Sequence, residues 1–463
     1  MAENIGRRIM YFTSIELENI KCFGENTILN LTDHDGRIAQ WTMILGNNGV
    51  GKTTLLKSLC WMQPVEETDK EKKETAGIDK VAMKPLMDDF ESELMYEELI
   101  KIGNINKSGI CATLSYGVGF NEKPKEEQLL KFGLEFTNEQ GKLLELYQKF
   151  AEIETFSSPV IFAYGASRHM SNKDAEDTEL QNPTQNLLLD SGDLYDAEQI
   201  LDMLDNASIR QSRVGKATDL LNKLKLILSE LLPNVNKPEN IIINSPINED
   251  GSINKIIVEI NTPDGKVKLN DLSLGYKTML AWIVDLAVHM LWEYKESETP
   301  LEEAAIVIID EIDLHLHPKW QISIRDILTK HFPRTQFICT AHSPIMAQDS
   351  QYENLAVVKR TDGEVIIENE PHIVAGWRIG QLLTSELFDF DSDRGYDNNK
   401  FIKRRRELNN KAKLSNVEEE ELDFLNKKID ELPVGDTEEQ DEAAKILANF
   451  ALKLKAYKDG KNK

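Results

Sequence analysis

Short apolar runs separated by polar turns open the chain. Tyr11-Phe12-Thr13-Ser14-Ile15-Glu16-Leu17 and Thr27-Ile28-Leu29-Asn30-Leu31 alternate with a period of two, as half-buried strands do. Asp33 to Gly36 reads as a turn. Trp41-Thr42-Met43-Ile44-Leu45 is a continuous apolar run and predicts a strand covered on both faces. Residues 64–110 are polar and charged, which predicts a solvated insertion. Strand patterns resume at Gly109 to Tyr116, Gly133 to Thr137 and Pro159 to Tyr164. Over residues 184–232 the period changes to that of helices, with Leu187, Leu188, Ile200, Leu201 and Leu204, then Leu220, Leu221, Leu224, Ile227 and Leu228. Pro233 stops that pattern. Ile241 to Asn261 reads as a hairpin turning at Glu249-Asp250-Gly251-Ser252. Beyond residue 366 the chain is helical and strongly charged, with a basic cluster at Lys400 to Arg406 and an acidic one at Glu418 to Glu421. Opposite charges so arranged predict a solvated face or a helical hairpin.

At 463 residues the chain can bury a large core and hold two or three lobes. Its 79 acidic and 54 basic residues give a net charge of −25, which argues against general nucleic-acid affinity but leaves a local basic groove open. Cys22, Cys60, Cys111 and Cys339 are scattered, so they read as reduced thiols and not as a zinc site or disulfide frame. No apolar run approaches the ~20 residues that span a bilayer, and the N-terminus lacks an apolar leader segment. A cytoplasmic protein without a membrane partner is expected.

Four motifs carry chemistry. Gly46-Asn47-Asn48-Gly49-Val50-Gly51-Lys52-Thr53 is a complete G-x-x-x-x-G-K-T phosphate loop between a predicted strand and a predicted helix, and Thr54 continues it. Its glycines let backbone N–H groups turn toward a triphosphate, and the helix N-terminus adds partial positive charge. Lys52 would reach the β- and γ-phosphates, and the Thr53 hydroxyl would bind Mg²⁺. Next, Leu272-Ser273-Leu274-Gly275 opens an apolar helix, so Ser273 and Gly275 mark a second anion-binding helix end. The third motif, Ala304 to Ile309 followed by Asp310-Glu311, is a buried strand with two acids at its C-terminal tip. Asp310 suits the Mg²⁺ shell and Glu311 suits a general base acting on water. The last, Gln336-Phe337-Ile338-Cys339-Thr340-Ala341-His342, ends another such strand in a histidine able to bond a γ-phosphate or orient the water.

Taken in order, these motifs resemble the ATP-binding-cassette ATPases of the SMC, Rad50, RecF and OLD type, over residues 10–60 and 260–350. The resemblance implies an α/β fold: a P-loop ATPase head with a mixed sheet and antiparallel N-terminal strands. The head would comprise residues 1–170 and 241–365, with the charged insertion at about 64–110 in the first part. A helical lobe at 171–240 would separate the halves, and 366–463 would form a charged helical tail. It further implies ATP and Mg²⁺, with Lys52, Glu311 and His342 in hydrolysis. Ser273 and Gly275 would act in trans across a homodimer, or a larger homo-oligomer, with composite ATP sites. Asp313-Leu314-His315-Leu316-His317-Pro318 looks like the D-loop form of the RecF and OLD branch, which places the histidines at a subunit interface. Tyr164-Gly165-Ala166-Ser167-Arg168 stands where a Q-loop would, without its Gln.

Ala163 to Arg168, Asp313 to Pro318 and Leu382 to Phe388 also look like the ATPases of anti-phage and retron-associated systems, such as the Septu ATPase subunit. That likeness implies a regulatory ATPase acting with a separate effector, an HNH or other nuclease. A RecF-like DNA-repair ATPase acting on DNA directly is the alternative, and DNA or RNA contact is compatible with either. A transporter cassette fits less well, because the two-strand start is SMC-like.

Overall fold

The computed structural model describes residues 9–66, 83–85, 107–139, 142–148, 158–168, 183–189, 257–349, 377–385 and 388. It also describes 194–244 apart from 233 and 236, ending at 244, together with 354–369 apart from 362 and 396–430 apart from 412 and 413. The chain divides into two compact units, Met1–Leu382 and Leu383–Lys463.

The first unit is built on a six-stranded sheet. Its order is Glu364–Asn369, Asn354–Thr361, Trp41–Gly46, Thr335–Ala341, Ala305–Ile309 and Ile161–Tyr164. The five strands from Asn354–Thr361 to Ile161–Tyr164 run parallel, and the edge hairpin of 354–361 with 364–369 is antiparallel. Every residue of Ala305–Ile309 and of Thr335–Ala341 is buried, as β-branched and apolar strands require when both faces are covered. Register sets Leu45 opposite Ala341, and Ile309 opposite both Cys339 and Tyr164. The residues that follow these strands therefore emerge together at one edge, the place where open α/β sheets bind ligands.

A second, antiparallel sheet of Thr27–Asn30, Met10–Glu18, Lys107–Tyr116, Leu129–Glu139 and Lys142–Gln148 lies against the first. Phe12, Ile15 and Leu17 share one apolar core with Ile44, Leu55, Ile306 and Ile338. The buried Gln336 side chain joins the sheets: its Oε1 accepts from Phe12 N at 2.9 Å and its Nε2 donates to Phe12 O at 2.8 Å. A buried amide with both ends bonded serves here as a short extra strand partner.

Ala197–Arg210 is capped by Asp196, whose carboxylate accepts from the N–H groups of Glu198 and Gln199. Its apolar stripe of Ile200, Leu201 and Leu204, and that of Lys216–Leu231, are buried as their spacing predicts. These helices pack on one another and on Leu274–Glu293 inside the first unit. The hairpin read at 241–261 is present as Ile241–Asn244 against Ile257–Thr262, and its turn lies outside the described residues. Gly265–Lys268 adds a third strand. Most of the charged 64–110 stretch also lies outside them. Glu364–Asn369 carries the core sheet past residue 365, where the sequence had ended the head.

Leu274–Glu293 is long and apolar enough to pass for a membrane span, which the sequence had not suggested, yet its 18-residue apolar window is 72% buried within the chain. It is a buried core helix of the first unit. In the second unit, Tyr396–Asn409 and Asn416–Asp430 pack on each other through Leu408 and Leu425. Arg404 grips Glu421 with two bonds of 2.8 and 2.9 Å, so the basic and acidic clusters form the helical hairpin their charges suggested.

Candidate nucleotide-phosphate site

The phosphate loop connects Trp41–Gly46 to helix Lys52–Trp61. Gly51 has φ of 98°, and a Cβ there would lie 2.4 Å from Cys22 Sγ, so both conformation and space demand glycine. No side chain caps this helix at Gly51, which leaves its first N–H groups for an anion. Asn47, Asn48 and Gly49 are exposed at the tip, Val50 is buried beneath it, and Thr54 is half-buried.

Lys52 is buried and folds back over the loop, its Nζ donating to Gly46 O at 2.9 Å and Asn47 O at 3.1 Å. The third contact is His342 Nε2 at 3.0 Å. An ammonium only donates, so Nε2 accepts and the imidazole proton sits on Nδ1. Burial lowers the Lys52 pKa, opposed by Asp310, Glu311 and Asp313. Burial, then the neighbouring Lys52 charge, lowers that of His342 and keeps the ring neutral.

Thr53 Oγ1 donates to Asp310 Oδ2 at 2.6 Å, which brings the two predicted Mg²⁺ ligands together. The other oxygen, Asp310 Oδ1, accepts from Thr340 Oγ1 at 2.5 Å. Glu311 follows in the left-handed region with φ of 49°, a conformation that costs a non-glycine residue about 1–2 kcal/mol. Three groups bond its backbone: Thr340 Oγ1 accepts from Glu311 N at 2.7 Å, and Arg168 Nη2 and Leu314 N donate to Glu311 O at 2.6 and 3.0 Å. The Glu311 carboxylate, about one-third exposed, lies 3.8 Å from His342 Nε2. Asp313 fixes the His342 backbone by accepting from its N–H at 2.9 Å.

Lys52, Thr53, Asp310, Glu311 and His342 thus meet at adjacent strand ends and through direct contacts, although more than 250 residues separate the loop from the acids. Ser273 and Gly275 are not joined to them by any bond among the described residues. Ser273 is exposed at the N-cap of Leu274–Glu293, and its hydroxyl makes no capping bond. Gly275 meets the D-loop backbone: a Cβ on it would lie 2.2 Å from His315 O. His317 caps helix Pro318–His331 through Nδ1, with Lys319 N at 3.3 Å, so its ring is committed within the chain. Sequence reasoning passed over Thr340 and Asp313. The signal for Thr340 was a hydroxyl within the buried strand end Phe337 to Ala341, since a fully buried polar group needs a partner.

Fold and site together define a P-loop ATPase. Residues 122–346 match the protein family described as "AAA domain, putative AbiEii toxin, Type IV TA system". The chain is 24% identical over 406 residues to "Retron Vc95 probable ATPase" of Vibrio cholerae serotype O1 biovar El Tor, covering 77% of this chain and 76% of that one. It is 25% identical over 387 residues to "Septu protein PtuA" of Bacillus mycoides, covering 82% and 45%. Over 88 residues, 19% of this chain and 16% of the other, it is 46% identical to "Retron Ec83 probable ATPase" of Escherichia coli. It thus spans three quarters of the Vibrio relative and less than half of the Bacillus one. Among solved structures, the SMC head domain from Thermotoga maritima is 16% identical, with a TM-score of 0.38 over 77% of this chain and 98% of that one.

Proposed function

We propose that the chain is the nucleotide-switched ATPase subunit of an anti-phage system, cytoplasmic, working with a separate effector protein such as a nuclease. The retron and Septu names of its relatives support the setting. What carries the switch is one observation: a hydrolytic set assembled at the phosphate loop, together with a signature helix, not bonded to that set, whose N-terminus is exposed and uncapped.

In this reading ATP displaces the Gly46 and Asn47 carbonyls from Lys52, and the free N–H groups of the Lys52–Trp61 helix take the phosphate oxygens. The Thr53 hydroxyl and the Asp310 carboxylate form a hard-oxygen pair that fits Mg²⁺, which would neutralise charge on the phosphates. Glu311 accepts a proton from the attacking water, and His342 orients the γ-phosphate. Ser273 and the helix end behind it close on the nucleotide of a second copy. Two exposed apolar side chains, Leu274 and Ile322, flank this region and suit burial in such a dimer.

The test is the solution mass of Glu311→Gln with and without ATP-Mg²⁺, expressed alone and with its genomic neighbour. An ATP-dependent dimer or larger assembly that retains the neighbour is expected. A monomer indifferent to ATP would overturn the switch.

A further inference from the structure

Arg168 ends the segment that follows strand Ile161–Tyr164, and it is 3% exposed. Among the described residues no carboxylate lies within ion-pair distance of it. Its Nη2 donates instead to the main-chain oxygens of Asp310, at 3.1 Å, and Glu311, at 2.6 Å. Burying a guanidinium costs free energy, which the two carbonyl bonds and the nearby charges of Asp310, Asp313 and Glu311 offset. One of those carbonyls belongs to Glu311, which occupies the left-handed region.

The turn is held from the remaining sides as well. Asp310 N donates to Tyr164 O at 2.8 Å, and Thr340 takes Glu311 N. Tyr164 also anchors the segment to the signature helix, its hydroxyl donating to the buried Asp285 Oδ2 at 2.9 Å. Of all these groups, Arg168 is the one that binds both carbonyls of the Asp-Glu pair. Without it, Asp310 O loses this donor, Glu311 O is left with the weaker 3.0 Å bond from Leu314 N, and Glu311 can relax toward an ordinary backbone angle, which carries its carboxylate away from His342.

We propose that Arg168 is a positioning residue for hydrolysis: its guanidinium locks the Asp310–Glu311 turn so that the Glu311 carboxylate faces the attacking water. This rests on Glu311 being the general base. Arg168 does not touch the phosphates in this role, so it should govern turnover and leave nucleotide affinity alone.

The experiment is a double-mutant cycle on the full chain with ATP-Mg²⁺, reading kcat, KM and the Kd for ATP. In Arg168→Lys the charge is kept but the stem is one bond shorter, so its nitrogen no longer reaches both carbonyls as Nη2 does. The expected result is a fall in kcat of about 10²-fold, the effect of moving a reacting group by ~1 Å, with Kd unchanged. In the Glu311→Gln background the same substitution should change the residual rate little, because the group it positions is already gone. Equal losses in both backgrounds, or loss of ATP affinity alongside turnover, would show a structural strut and overturn the inference. So would failure of both Arg168→Lys and Arg168→Gln to accumulate as folded, ATP-binding protein. Full turnover in Glu311→Gln sinks the general-base reading itself. A slow Glu311→Gln beside a normal Arg168→Lys sinks only the role of Arg168.

Discussion

At the phosphate loop the polar groups already have partners within the chain: Lys52 is saturated by two carbonyls and His342, and Asp310 by Thr53 and Thr340. At the signature end Ser273 is exposed, its hydroxyl caps nothing, and Leu274 behind it is 61% exposed. Both are helix N-termini, and both motifs are recognisable from sequence. Both leave helix N–H groups open to an anion; the difference is that the charged side chains at the loop are already paired within the chain, whereas the Ser273 hydroxyl at the signature caps nothing. An internally wired loop can wait empty without unsatisfied charges, whereas an open signature gains its partners only when something docks on it.

The largest effect expected is at the phosphate loop. Lys52→Ala should weaken ATP binding by about 10²-fold or more, since each charged hydrogen bond contributes about 1.5–3 kcal/mol. A nucleotide titration showing wild-type affinity would remove the loop from the site. The open half is probed by Ser273→Asp, which sets a negative charge where a partner's phosphate would lie. Here ATP should still bind, while ATP-dependent dimerisation and turnover are lost. Mixing Lys52→Ala with Ser273→Asp should then restore activity, because the heterodimer has one loop and one signature intact and facing each other. No recovery on mixing would break the trans arrangement.

Gly275→Ala sharpens the comparison differently, since this part of the open half is packed in cis against His315. Forcing a Cβ toward that carbonyl should cost about 1–3 kcal/mol, visible as a lower melting midpoint as well as lower turnover. An unchanged midpoint would mean that the D-loop yields freely. The smallest effect is at His342, whose pKa is held below its ordinary 6.5 by burial and by Lys52. The unfolded chain then binds this proton more readily, so the contribution to stability is full above about pH 6.5 and is lost as pH falls through the lower folded value. Melting curves from pH 7 to 5 should therefore fall less steeply for His342→Gln than for the native chain. Parallel slopes would mean that the ring is not held neutral.

Much of the site was legible because its residues sit at places the local pattern marks: strand ends, a glycine-rich turn and a helix start. Period-two and continuous apolar runs found Trp41–Gly46, Ala305–Ile309 and Thr335–Ala341, and their polar tips found Lys52, Asp310, Glu311 and His342. Arg168 and Thr340 gave weak local signals, because what they do depends on residues more than a hundred and nearly thirty positions away.

By itself, then, the sequence determined the phosphate loop, the acidic strand end, the histidine and the charged helical hairpin, since each is encoded by spacing over a few residues. Only the tertiary structure decided that Arg168 lies beneath the Asp310–Glu311 turn, that Glu311 is left-handed, and that His317 caps a helix. It also decided that the most apolar of the described helices is buried within the first unit and that the core sheet continues to Asn369. These features arise from which strands become neighbours. Sheet register, not local propensity, brings Tyr164, Ile309 and Cys339 level with one another.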